Sequence, residues 1–136
     1  MCQAVVPHIP VVLVTLGNLG LMLCHSHGSR VEHPMTLLRS SPPPEASFHA
    51  VYFPTLRENT AITSVSGAGD CLSATFVAAM LEGRSTDECV RLSLNAAELS
   101  LASSDAVPGT ISQSSVLDQG SRDPFPHWKP RVLKTG

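Results

Sequence analysis

Hydrophobic positions fall into three short runs and two long ones. Val11-Val12-Leu13-Val14-Thr15 is the first, apolar through Val14 and mostly β-branched. A run of this kind without helical spacing predicts a strand covered on both faces. It stops at Thr15-Leu16-Gly17-Asn18-Leu19-Gly20, whose two glycines predict a turn, and Leu21-Met22-Leu23-Cys24 predicts a second strand. From 25 to 47 the chain turns to His, Ser, Arg and Pro, ending near Ser40-Ser41-Pro42-Pro43-Pro44, which predicts a flexible excursion. His49-Ala50-Val51-Tyr52-Phe53 predicts a third strand, closed by Pro54.

The two long runs predict helices. One spans about Ala68 to Leu81 and stops at Gly83, with Ala74, Ala78 and Ala79 small enough to admit a neighbouring backbone. The other starts at Ser85-Thr86-Asp87-Glu88, a capping box in which Ser85 and Glu88 satisfy each other's backbone donors. Beyond it, Cys89, Leu92, Ala96 and Leu99 form one stripe and Val90, Leu94, Ala97 and Leu101 a second, so this helix is expected to be buried on most sides. A further short helix is expected over 112–117, and the Pro-rich, charged end at 120–136 is expected to be loosely held. The pattern is that of an α/β fold in which the first helix packs on the sheet.

Composition narrows the classes. With 136 residues, 43% of them hydrophobic, the chain can form one ordinary core. Net charge is −2 and the basic residues are scattered, so no nucleic-acid polymer is expected as partner. Cys2, Cys24, Cys71 and Cys89 make no C-x-x-C pair, which points to a reducing compartment. No signal peptide or membrane span is legible, and a cytoplasmic location is expected, with a mitochondrial one also compatible.

Chemistry concentrates at Val65-Ser66-Gly67-Ala68-Gly69-Asp70-Cys71-Leu72. A helix that begins at small residues presents unpaired N–H groups and the positive end of its dipole, which suits a phosphoryl group. Asp70, one position on, is placed to accept a proton from an attacking hydroxyl, and phosphoryl transfer asks mainly for such positioning and charge stabilisation. A plain reading is that Ser66 and Asp70 cap the helix and the glycines make a turn. The remaining candidates are weaker. Cys24, His25, His27 and His33 match no common metal-ligand spacing, so no metal ligands are assigned. There is no G-x-x-x-x-G-K-S/T, no G-x-S-x-G, and the glycines at 17 and 20 lead into a strand, not a helix, which sets aside P-loop, serine-hydrolase and dinucleotide classes.

The order of Val12-Leu13-Val14-Thr15-Leu16-Gly17 with Gly20, then Ser66-Gly67-Ala68-Gly69-Asp70, Leu81-Glu82-Gly83 and Asn95-Ala96-Ala97 resembles the C-terminal part of the PfkB-type, ribokinase-like sugar and nucleoside kinases. Within that family, the stretches around Asp70 and from Leu99 to Pro108 look most like pseudouridine kinase modules. The resemblance covers roughly residues 10 to 110 and implies a partial ribokinase-like fold over 1–119. It implies that Asp70 is the catalytic base, that Gly67, Ala68 and Gly69 form the anion hole, that Thr15 and Gly17 line the nucleotide, and that Asn95 faces the adenine side. ATP and Mg2+ are the implied cofactors, and a small sugar or nucleoside is the implied partner.

Ser64 stands where the family commonly has Asp or Asn, so the resemblance does not extend to its monovalent-cation site. The family's sugar pocket and its upstream N-x-x-E find no counterpart, and Asn95-Ala96-Ala97-Glu98 matches that string only by chance. Two expectations follow: a kinase whose nucleotide side is seen here, or a non-catalytic fragment that binds nucleotide weakly. An incomplete sheet also implies exposed edges through which copies associate. The isolated polypeptide is expected to be inactive.

Overall fold

Val11–Thr15, Leu21–His25 and His49–Phe53 form strands β1, β2 and β3. The computed structural model describes residue 5 and residues 8–9, 11–26, 31–39, 47–57, 61–109, 111–112 and 128–135. The chain divides into a sheet unit, Met1–Thr55 with Lys129–Gly136, and a helical unit, Leu56–Trp128.

In the sheet unit β1 runs antiparallel to β2, from Val11 opposite His25 to Thr15 opposite Leu21. Five residues join them, and a parallel pair needs a crossover of about a dozen or more. The joint is a tight 3-10 turn over Gly17–Leu19. The Leu19 carbonyl of this turn accepts the Tyr52 hydroxyl at 2.6 Å.

β2 pairs antiparallel with β3, and β3 with a fourth strand, β4, Arg131–Thr135. The order β1-β2-β3-β4 leaves β1 on one edge. This corrects the expectation of a strand covered on both faces: Val11 to Val14 are half-buried and Thr15 is exposed. An apolar run reads the same for an edge strand half-buried on each face as for a central one. The core lies one strand in, where Leu21, Leu23, Cys24, Ala50, Val51 and Phe53 are buried.

Three further differences concern the stretches read as irregular. His25 extends β2, is buried, and stacks on its cross-strand partner His49 with ring centroids 5.2 Å apart and planes at 14°. Pro34–Arg39 is a short helix, α1, with proline at its first position, where the missing N–H costs nothing. Within the end read as loosely held, Arg131–Thr135 joins the sheet, with an irregular register at Ala50/Val51. Apart from Ser112, the helix expected over 112–117 lies outside the described residues, as do 113–127. As an edge strand with Val132 and Leu133 exposed, β4 is expected to lose amide protection before β2 in native-state hydrogen exchange. Equal protection of the two strands contradicts that placement.

In the helical unit, α2 (Ala68–Leu81) and α3 (Thr86–Leu101) pack against each other. α2 ends as expected at Gly83, and the Arg84 N–H closes it on the Ala79 carbonyl at 3.1 Å. Its buried stripe is Leu72, Phe76 and Ala79 with Cys71, whereas Ala74 and Ala78 are exposed. Of the three alanines expected to admit a neighbour, only Ala79 is therefore on the buried side, because the i, i+4, i+7 spacing from Leu72 fixes that face.

α3 opens on the predicted capping box. Ser85 Oγ accepts the Glu88 N–H at 3.3 Å, and Glu88 Oε2 accepts the Ser85 N–H at 3.1 Å. Hydrogen bonds from Ser85, backbone first, hold the Glu88 carboxyl below its ordinary range. Both predicted stripes are buried or half-buried, and Ser93, Asn95, Glu98 and Ser100 are buried as well. Burial pushes the Cys89 thiol up to about 11.

Candidate functional site

The chain reaches α2 through a segment tied to the end of α3. The N–H groups of Thr63 and Ser64 both donate to the Leu101 carbonyl, at 2.7 and 3.2 Å, and the Ser66 N–H donates to Ser64 Oγ at 3.2 Å. Gly67 then takes the cap position with a left-handed φ of 80° and no side-chain cap bond. A Cβ on Gly67 would overlap the backbone of Ala106, so glycine is required there by both conformation and space.

The first helical hydrogen bond runs from the Cys71 N–H to the Gly67 carbonyl at 2.9 Å. The N–H groups of Ala68, Gly69 and Asp70 precede it, and none has a partner among the described residues. These three donors stand at the positive end of a 14-residue helix, an arrangement that favours an anion on general grounds. At Gly69 a Cβ would meet nothing within 4 Å. Folding therefore does not require glycine at 69, where alanine would favour the helix by about 0.5–1 kcal/mol. Asp70 is exposed, and no hydrogen bond or ion pair engages it among the described residues. Neither Ser66 nor Asp70 caps the helix through its side chain, and Asp70 lies in the first turn, where its charge favours the helix dipole.

The loop after α3 closes over this start. The Ala106 carbonyl accepts the Ser100 hydroxyl at 3.1 Å and faces the Cys71 thiol at 3.7 Å.

The other sequence candidates belong to other elements. Thr15 and Gly17 are exposed together at one end of the β1–β2 hairpin, in the sheet unit. Asn95 is 3% exposed in α3, and its Oδ1 has no hydrogen-bond partner among the described residues. Glu98, three residues on, is engaged within the helical unit. Its Oε1 accepts the N–H groups of Leu56 and Arg57 at 3.1 and 3.2 Å, and its Oε2 pairs with the Arg57 guanidinium at 2.6 Å. This anchor escaped the sequence reading, and its one signal was an acid set among the two buried stripes. Among the described residues, no three His, Cys, Asp or Glu side chains gather as metal ligands, and no helix is long and apolar enough to cross a membrane.

No protein-family model matches the chain. Over 56 residues, 41% of the chain and 15% of the relative, it is 39% identical to a ribokinase from Arabidopsis thaliana. Its structure is similar to that of a protein assigned as a sugar kinase from Clostridium perfringens, with a TM-score of 0.57 and 12% identity, over 94% of this chain and 31% of that one. The chain thus spans less than a third of the length of either relative. The architecture is a partial ribokinase-like α/β fold, and the chain is related to the ribokinase-like carbohydrate kinases.

Proposed function

We propose that this chain supplies the catalytic base and the anion hole for ATP-dependent phosphorylation of a sugar or nucleoside hydroxyl, with pseudouridine as the finer assignment. The observation that carries the reading is the start of α2: free N–H groups, an open face at Gly69, and an exposed, unengaged Asp70 beside them. Gly67, Ala68 and Gly69 hold the transferring phosphoryl oxygens, and Asp70 takes the proton of the attacking hydroxyl.

ATP brings the phosphoryl group, and Mg2+ neutralises its oxygens when bound. Magnesium is assigned to the nucleotide's phosphates. Thr15 and Gly17 are assigned to the nucleotide and Asn95 to its adenine on the resemblance. A base reaches Asn95, 3% exposed, only after local opening. Association of copies through the sheet edges β1 and β4 belongs to the same proposal.

A second reading is nucleotide binding without turnover. Both readings place the phosphates at Gly69, and one substitution tests them together. Gly69→Ala is expected to raise helix stability by about 0.5–1 kcal/mol, since nothing opposes the new methyl in the free chain. The same methyl stands where the transferring phosphoryl group approaches and is expected to weaken binding of a magnesium-bound, non-hydrolysable ATP analogue about tenfold, equivalent to about 1.4 kcal/mol. Thermal unfolding and calorimetric titration give the two numbers. Unchanged affinity in the stabilised variant counts against a phosphate site here.

A further inference from the structure

We infer that Ser100 is a positioning residue for the start of α2, acting through the Ala106 carbonyl. The inference rests on reading that start as the phosphate site.

Ser100 is fully buried in the last turn of α3 and donates its hydroxyl proton to the Ala106 carbonyl at 3.1 Å. The other helical serines behave differently. Ser73 and Ser93 donate to carbonyls four residues back, Gly69 at 2.9 Å and Cys89 at 2.6 Å, the local bond that such side chains form when nothing else is offered. Ser100 instead reaches forward, out of its helix.

What it holds has little else to hold it. Ser104, Asp105, Ala106 and Val107 are exposed, so apolar burial does not fix this stretch before the buried Pro108. Its internal bond, from the Asp105 N–H to Ser103 Oγ at 3.1 Å, is local. The Ala106 backbone nevertheless lies where a Gly67 side chain would be. Cys71, from the first turn of α2, adds a weak second donor to the same carbonyl at 3.7 Å. One carbonyl oxygen thus links α3, the loop and the first turn of α2. Gly67, which has the conformational freedom of glycine, is confined by that contact, and the orientation of the amides that follow depends on it.

NMR of the full 136-residue chain without ligand tests the inference through backbone order parameters and the Ala106 carbonyl carbon shift. Ser100→Ala is expected to move that shift and to lower order parameters at Gly67–Asp70 and at 104–107 from about 0.85 toward 0.6, with those of α3 unchanged. Ser100→Cys, with a weaker donor of similar shape, is expected to restore part of both. Titration with a magnesium-bound, non-hydrolysable ATP analogue is expected to show about fivefold weaker binding for Ser100→Ala, the value of one hydrogen bond. Unchanged order parameters and carbonyl shift in Ser100→Ala overturn the inference whatever the nucleotide does. Should Ser100→Ala unfold, Ser100→Cys decides: an Ala106 shift identical to wild type overturns it, and a shifted one supports it. Failure of the unsubstituted chain to bind the ATP analogue defeats the phosphate-site reading alone, since the ligand-free measurements still report on Ser100.

Discussion

Asp70→Asn is expected to lower sugar phosphorylation about 100-fold or more, while nucleotide affinity stays within a few-fold. The measurement belongs in a polypeptide that joins this segment to the sugar-binding remainder of a ribokinase-like kinase. Asn keeps the size of the side chain and, because no described residue engages Asp70, breaks no hydrogen bond in the fold. What it removes is the capacity to take a proton. The lost charge near the helix N-terminus also withdraws about 0.3–1 kcal/mol of dipole stabilisation, too little to unfold the helix. A structural Asp70 predicts the same small loss of stability with turnover preserved, so turnover separates the two. Turnover within threefold of wild type would sink the base assignment.

Gly67→Ala is expected to destabilise the helical unit by about 3 kcal/mol, combining about 1–2 for a left-handed backbone with a side chain and about 1–3 for forcing a methyl into packed atoms. The second contribution is not readily relieved. The obstructing group is the Ala106 backbone, whose carbonyl is held by Ser100 from a fully buried position. Urea unfolding checks the number, and a loss below 1 kcal/mol means that the loop does not lie against Gly67. The two glycines flanking Ala68 therefore separate cleanly: alanine at 67 damages the fold, and alanine at 69 improves it. Only the second can report on a ligand without first reporting on folding.

This difference was not legible in the string G-A-G-D, where both glycines look alike. Legible features were those written in neighbouring residues: β1 and β3 from their apolar runs, α2 from its run and Gly83, and α3 from Ser85 and Glu88. The order of elements also carried the family likeness. Features made by contacts distant along the chain were hidden. Arg131-Val132-Leu133-Lys134-Thr135 is strand because β3 offers it a partner, and its alternation with charge after a Pro-rich stretch reads as a loose end. His25 looked like the start of a loop until its partner His49 placed it in the sheet. The Ala106–Gly67 approach is made by backbone and leaves no trace except the glycine itself. Asn95 shows the limit for the site: the two stripes predict a helix buried on most sides, while the lack of a hydrogen-bond partner for its Oδ1 among the described residues depends on packing that no local pattern encodes.

The pairing of β3 with β4 bears on the order in which the molecule assembles. These neighbours in the sheet are separated along the chain by the whole of Leu56–Trp128, so their contact closes a loop containing the entire helical unit. Closure entropy for a span that long must be met before β4 gains a single ladder bond, and long-range pairings of this kind form late. The β1–β2 hairpin and the α2–α3 pair, each joined by a few residues, carry no such cost. Assembly therefore proceeds from two local nuclei, and the seam at β4 is the step that commits the two ends of the chain to one structure.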